Sequence, residues 1–453
     1  MKLAYNVKDK PKFGQLLIFA FQQLLAILAA TIAVPAIVNQ VTGSEMQQSA
    51  ALFGAGVGTL VYLLFTKFKS PVFLGSSFAF LGPMFAAFGG AASAAAGYAG
   101  FIIGAVMAGL VYVIIAIIVK LAGVKWINKL MPAVVIGPTV AIIGLSLAGN
   151  AIGDSLSGTA LDGDGNHIMN TTGWISLVCA LVTLITVILC SVYGKKMMKL
   201  IPFIIGILAG YAVATIFTLI GRSTGNDALK VINFGVFSDM EIFAIPDFTF
   251  IKAMDGISDI TGKYLATLAV AYVPVAFVVF AEHIADHKNL SSVIETELLE
   301  EPGLHRTLLG DGVGSMAGAF FGGCPNTTYG ESVGCVAITG NASVITIFTT
   351  AIMAIVISFF GPFVTFLSTI PSCVMGGVCV TLYGFIAVSG LKMLQPVDLN
   401  DNRNLFTASI ILIAGIGGMA IKIGEIKITA IACALILGII VNLLGSCKKD
   451  KAE

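Results

Sequence analysis

The sequence predicts an all-α polytopic membrane protein of about fourteen membrane segments, and three observations carry that prediction. Of 453 residues, 57% are hydrophobic and only 11% are charged, against roughly 25% charged for an ordinary soluble domain. Uncharged runs long enough to cross about 30 Å of hydrocarbon recur from end to end. The lysines and arginines gather in alternate loops between those runs, as the bias towards cytoplasmic positive charge requires.

Lys2, Lys8, Lys10 and Lys12 precede the first run, 13–44. This run is too long for a signal-peptide core and has no clear small-residue cleavage site, so it reads as a retained first span. Next come 46–66, 70–119, 130–153, 172–194 and 200–221; after a polar interval follow 264–281, 312–330, 332–391, 404–421 and 428–447. The longer runs must hold two or three spans each. Counted by alternate loops, Lys67/Lys69, Lys120/Lys125/Lys129, Lys195/Lys196/Lys199, Lys288/Arg306, Lys392/Arg403 and Lys448/Lys449/Lys451 share one side. That side is read as cytoplasmic, with both termini inside. Net charge is +1 and by itself indicates no partner. The eight cysteines, Cys179, Cys190, Cys324, Cys335, Cys373, Cys379, Cys433 and Cys447, form no CxxC pair or metal-ligand spacing and read as small core residues.

The chain contains echoes of itself. LFGAGVGT at 52–59 and LLGDGVGS at 308–315 share five of eight positions, including all three glycines. MPAVVIG at 131–137 and IPSCVMG at 370–376 share Pro, Val and Gly at the same offsets. Their common order favours two halves of about seven spans, and halves with an odd number of spans insert in opposite orientations. This is the inverted repeat of many secondary transporters. The acidic interval 222–263 is the expected connection between the halves, on the outer side. DGDGN at 162–166 resembles the start of a calcium loop, but Gly173 stands where the closing glutamate would be, so a plain turn is expected.

Two segments are poor helices. SPVFLGSSFAFLGP (70–83) and CPNTTYGESVGCVAIT (324–339) mix proline and glycine with β-favouring residues, and suggest short extended pieces feeding half-helices. Irregular backbone at membrane depth survives only where it is buried in protein or lines a cavity. Both follow the duplicated glycine motif at corresponding places, which points to a binding site.

Carboxylates at such depth are costly and usually kept for substrate, ion or proton handling. Glu331 sits in the second broken segment, where capping alone would not demand a charge. Glu282 and Asp286 are four apart and share a helix face. Their repulsion implies that one binds a proton, so the pair reads as a relay. Phe80 reads as core. His283 is read as structural or interfacial, and His287 with Lys288 as the cytoplasmic end of that helix. Asp311 either orients backbone or shares the proton path.

AEHIADH, EPGLHRTLLGDGVG, FFGGCPNTTYGES and VGCVAIT, with FQQLLAILAATIAVP and FLGSSFAFLGP upstream, closely resemble the nucleobase/ascorbate transporter family (nucleobase:cation symporter-2), and within it the bacterial uracil permeases. The resemblance covers nearly the whole chain. It implies two inverted seven-segment repeats, with short strands in broken segments 3 and 10. It divides the chain into a core domain at 1–125 and 263–362 (segments 1–4 and 8–11), a gate domain at 126–221 and 363–453 (segments 5–7 and 12–14, with a cytoplasmic tail), and an extracellular connection at 222–262. It implies a proton symporter of the cell membrane, commonly a homodimer, whose core slides against the gate; no cofactor beyond the coupling proton and no nucleic-acid partner are expected. By resemblance, Glu282 and Glu331 hydrogen-bond the base, Phe78 stacks on it, and Tyr329 and Gly330 add backbone contacts, while Glu282, Asp286 and Asp311 are the proton-coupling candidates.

Two departures bear on substrate. Gln22 and Gln23 stand where the uracil permease pattern has glutamine and then histidine, and Asp286 replaces a second histidine. The aspartate looks more like the purine branch, whereas Glu331 does not. Uracil is favoured, with xanthine or a related oxopurine as the alternative. An anion transporter or channel on a similar fold would want a basic residue near the breaks, and no Lys or Arg lies in 70–119 or 312–391. An enzyme is not expected, because His167, His283, His287 and His305 form no nucleophile–base or metal arrangement.

Overall fold

The computed structural model describes residues 3–123, 126, 131–195, 197–423 and 426–446. Lys2, Lys125, Lys129, Lys196, Cys447, Lys448, Lys449 and Lys451 lie outside them. In the first half, α1 is Phe13–Thr42, α2 Gln48–Phe65, β1 Leu74–Ser76, α3 Leu81–Gly89 and α4 Ala94–Ala122. Helices α5 (Ala133–Ser146) and α6 (Ala148–Ser155) form one bent span, followed by a hairpin of β2 (Ala160–Leu161) and β3 (His167–Ile168), then α7 (Thr171–Tyr193) and α8 (Pro202–Thr224). The second half runs α9 (Gly262–Ile294), α10 (Leu304–Phe321), β4 (Asn326–Thr328), α11 (Gly330–Thr339), α12 (Val344–Ile357), α13 (Ser372–Lys392), α14 (Asn402–Ile416), the β5–β6 hairpin (Ile421–Ile423 and Ile426–Ile428) and α15 (Ala430–Ser446).

Among the described residues, eight spans are long and apolar enough to cross a membrane. Four shorter apolar helices add to them: the one containing α3, then α12, α14 and α15. The remaining two segments are α10, which carries Asp311, and the β4–α11 unit. Both halves thus follow the same order: two helices, a short strand feeding a half-helix, then four more segments. The DGDGN stretch is a turn, as expected: Asp162 Oδ1 accepts from Asp164 N at 3.0 Å and Asn166 N at 2.7 Å at the tip of the β2–β3 hairpin. The seven described cysteines are free and buried.

The duplicated glycine motif explains how the halves meet. Helix α2 packs on α10, and a Cβ placed on Gly58 would come within 2.7 Å of Gly314 O, just as one on Gly314 would come within 2.7 Å of Gly58 O. Gly56 faces Ala351 O of α12, and its counterpart Gly312 faces Gly109 O of α4. Small residues let membrane helices approach to backbone contact, where packing rather than water expulsion holds them. The second echo behaves in the same way: Gly137 of α5 faces Gly390 O of α13, and Gly376 of α13 faces Asp154 and Ser155 of α6. Each half presents the same surface to the other.

Two sets of helices result. In one, α1, α2, α4, α9, α10 and α12 pack on one another around β1 and β4; in the other, α5 to α8 pack with α13, α14 and α15. The 222–263 connection is less loop-like than its charge suggests. It contains the short helix Thr249–Ala253 and 3-10 turns, and its Phe250 stacks on Phe320 at 4.8 Å with the rings 5° apart. Helix α9 also differs from expectation, continuing past His287 and Lys288 to Ile294, with His287 only 1% exposed. His287 is therefore a core residue rather than a helix end.

Candidate functional site

Strands β1 and β4 pair antiparallel, Leu74 opposite Thr328, Gly75 opposite Thr327 and Ser76 opposite Asn326. The pairing extends outward through Ser77 N to Pro325 O at 2.9 Å and Tyr329 N to Phe73 O at 3.2 Å. This satisfies backbone groups that have no water to turn to at membrane depth. Gly75 is required because a Cβ there would overlap the Tyr329 ring, whose hydroxyl donates to Ser76 O at 2.8 Å. Each strand then feeds a helix: β1 passes through a 3-10 turn at Phe78–Phe80 into α3, and β4 passes through Tyr329 into α11. The first turn of α11, free of any side-chain cap, starts at Gly330 and carries Glu331.

In front of the strands lies a cavity of about 380 Å³. Its wall from the first helix set is polar: Ser76, Ser77, Thr327 and Thr328, the 329–331 turn, and Glu282, Asp286 and Asn289 one turn apart along α9, with Phe78 at one edge. The opposite wall comes from α5, α8 and α13 and is apolar, formed by Val140, Ile143, Phe203, Leu382, Phe385 and Ile386, with Ser389 as its polar exception near Met393. Asn289 and Ser389 are exposed. The cavity therefore reaches towards the end of the molecule where Lys288 and Lys392 are exposed.

Glu282, Asp286, Glu331, Phe78, Tyr329 and Gly330 all reach this one cavity, although the chain separates the first half's contribution from the second half's by some two hundred residues. Asp286 is partly satisfied, accepting from Thr328 Oγ1 at 2.8 Å, so α9 is tied directly to β4. Phe78 meets Tyr383 of α13 edge-on at 6.0 Å, a contact across the two helix sets. Tyr329 is 4% exposed and its ring turns away from the cavity towards Gly75, so it offers backbone only. Phe80 is core, stacked on Tyr272 at 5.8 Å.

Asp311 is placed differently. It lies behind α9, 1% exposed, with Oδ2 2.7 Å from His283 Nδ1, and does not line the cavity. Sequence reasoning missed Thr328 as the partner of Asp286, the apolar opposing wall and the role of Ser332. That serine holds the start of α11 in place: its Oγ accepts from Gln23 Nε2 of α1 at 2.5 Å and from Phe73 N at 2.9 Å. Gln23, one of the two departures noted in the sequence, is thus buried and occupied as a structural tie. Among the described residues no cluster of three or more His, Cys, Asp or Glu could hold a metal.

The sequence model of the permease family matches residues 14–424. The uracil permease of Bacillus caldolyticus is 38% identical, with 100% of this chain and 97% of that protein aligned. The uracil permease of Bacillus subtilis is 36% identical, with 100% of this chain and 98% of that protein aligned. Among solved structures, the transmembrane domain of the cyanobacterial bicarbonate transporter BicA superposes with a TM-score of 0.58 at 17% identity, covering 96% of this chain and 100% of that one. At that identity the likeness concerns the fold alone.

Proposed function

Because the chain belongs to the nucleobase/ascorbate transporter family of permeases, we propose that it imports a nucleobase, most readily uracil, together with protons, by sliding one helix set past the other. One observation carries the reading: every hydrogen-bonding group of the cavity except Ser389 belongs to the wall built from β1, β4, α9 and α11, and the facing wall is apolar. A base held entirely by one wall can travel with it. An apolar partner surface breaks no hydrogen bonds as the two slide.

Uracil presents two N–H donors and two carbonyl acceptors on a flat ring. Glu282 and Glu331 are acceptors for the donors, the backbone N–H groups at the start of α11 suit a carbonyl, and Phe78 offers a ring face. Neighbouring carboxylates do not all stay charged in such a site, so a proton carried in with the base is the natural counterweight, and Glu282 and Asp286 are its carriers. Asp311 enters as a partner of His283 behind them. The helix set around the strands serves as the moving core and the α5–α8, α13–α15 set as the gate, with the cavity open to the cytoplasmic side that the lysine pattern assigns and a homodimer as the working unit.

The experiment is uptake of labelled uracil by proteoliposomes, with and without an inward proton gradient, in competition with thymine, xanthine, hypoxanthine and urate. Uracil is expected to compete best, and an acid exterior to drive accumulation. Strongest competition by xanthine would favour the oxopurine reading; gradient-independent equilibration would overturn proton coupling. Phe78→Ala is expected to raise the KM for uracil about tenfold, since an aromatic contact to a flat ring is worth roughly 1–1.5 kcal/mol, with Vmax little changed. An unaltered KM would remove Phe78 from the binding set.

A further inference from the structure

Helix α9 shows the cavity one face and the protein interior another. Glu282 and Asp286 point to the cavity; His283 and His287, each the next residue, point inward, 0% and 1% exposed, with their rings stacked at 4.0 Å. A cavity gives no packing support to the helix that lines it. Pro274, eight residues before Glu282, also removes one backbone hydrogen bond from the helix, so the turn bearing the carboxylates needs holding from behind.

His283 sets Nδ1 2.7 Å from Asp311 Oδ2 and Nε2 2.9 Å from Thr307 Oγ1, both on α10. His287 sets Nδ1 2.8 Å from the carbonyl of His283, and Nε2 2.6 Å from the Tyr62 hydroxyl of α2. A carbonyl only accepts, so Nδ1 of His287 carries the proton and Nε2 is bare. Tyr62 therefore turns its hydroxyl to the imidazole, and the same hydroxyl lies 2.7 Å from Ser70 Oγ just ahead of β1. All of these groups are buried. The file of contacts runs from α10 through the two imidazoles to α2 and the approach to β1, and so spans both halves of the chain.

We propose that His283 and His287 are positioning residues that lock the Glu282–Asp286 turn of α9 in the rotation that faces the substrate, with Tyr62 as the fixed anchor of the second. The proposal rests on Glu282 being a binding carboxylate. It assigns His283 and His287 no contact with substrate. It also gives Tyr62, on a helix that never reaches the cavity, an effect on affinity.

The test is a double-mutant cycle on the full chain in proteoliposomes, reading KM and Vmax for labelled uracil. Tyr62→Phe removes only the hydroxyl. It is expected to raise KM about tenfold, as loss of one buried hydrogen bond worth roughly 1.4 kcal/mol would, with Vmax per folded carrier within about twofold. His287→Phe, which keeps a ring, is expected to match it, and the double variant to be no worse than either. His283→Asn, whose amide N–H takes the position of Nδ1 towards Asp311, is expected to preserve KM while His283→Ala raises it. A merely structural role would lower the amount of folded carrier and hence Vmax, leaving KM unmoved. Unchanged KM in Tyr62→Phe, or additive effects in the double variant, would overturn the proposal. Glu282→Gln is run alongside: if it too leaves KM unchanged, the substrate-site assignment itself fails, whereas an effect of Glu282→Gln with none from Tyr62→Phe rejects only the positioning file.

Discussion

Glu282→Gln is expected to abolish concentrative uptake of uracil and to weaken binding about a hundredfold. The substitution conserves shape, so α9 keeps its packing and the ties through His283 and His287 are untouched. What changes is charge. A hydrogen bond from a substrate N–H to a carboxylate is worth roughly 1.5–3 kcal/mol, or about 10- to 150-fold in affinity. The amide can still turn its oxygen to the base, so some binding survives. It cannot take up and release a proton, so coupling does not. The expected signature is slow equilibration of label across the membrane that no longer responds to an imposed proton gradient, measured in the same vesicles as the unaltered protein. Undiminished uphill transport by Glu282→Gln would remove Glu282 from both roles. Asp286→Asn is the informative companion, since Asp286 already accepts a bond from Thr328. It is expected to keep most of its affinity and lose gradient response, separating proton handling from binding.

The sequence made some of this arrangement readable and hid the rest for physical reasons. Hydrophobic runs and the alternation of lysines announce segments because the bilayer imposes their length and polarity one segment at a time. The two breaks could be recognised because proline, glycine and hydroxyl residues inside an apolar run make poor helix, and burial of Glu282 and Glu331 in such surroundings is costly enough to demand a use. A four-residue spacing put Glu282 and Asp286 on one face, but periodicity assigns a face without naming what the face meets. Thr328 is 42 residues from Asp286, and Tyr62 is 225 residues from His287. Such pairings exist only once the halves are folded against each other. His287 is hidden for the same reason: next to Lys288 and Asn289 it looks like the end of a span, whereas its own side chain faces the interior, and α9 continues for two more turns.

The division of the cavity into a polar and an apolar wall has a thermodynamic consequence that joins fold to function. In the proposed sliding motion, each hydrogen bond from one helix set to the other would have to be broken at every cycle, leaving buried polar groups unsatisfied at roughly 1–3 kcal/mol apiece. Confining the polar groups to one helix set avoids that barrier. Phe78 touching Tyr383, ring edge to ring, is a contact of the kind that can slip. Among the described residues Gln40 Nε2 donates to Asp154 Oδ1 and so joins the two sets near the C-terminal ends of α1 and α6.

Gly58→Leu is expected to prevent assembly altogether, which makes the duplicated glycine motif the structural counterpart of the paired glutamates. On α2, Gly58 lies so close to α10 that a single Cβ would stand 2.7 Å from Gly314 O and would also overlap the Asn326 side chain of β4. The obstacle is backbone on one side and the strand that carries the site on the other, so neither can yield without separating β1 from β4. Overpacking at a tolerant site costs about 1–3 kcal/mol; here leucine must push apart two helices whose attraction depends on close approach, and the cost exceeds that range. Gly149 of α6 is the matched control, exposed and with nothing within 4 Å of a built Cβ, so Gly149→Leu is expected to leave expression, thermal stability and uptake unchanged. Gly58→Leu should yield little detergent-stable protein, and what survives should not bind uracil, because Asn326 and Thr328 sit on the displaced strand. Recovery of Gly58→Leu with normal thermal stability and normal KM would mean that α2 and α10 do not meet at these glycines. It would also mean that the site is held by something other than the contact between the two halves.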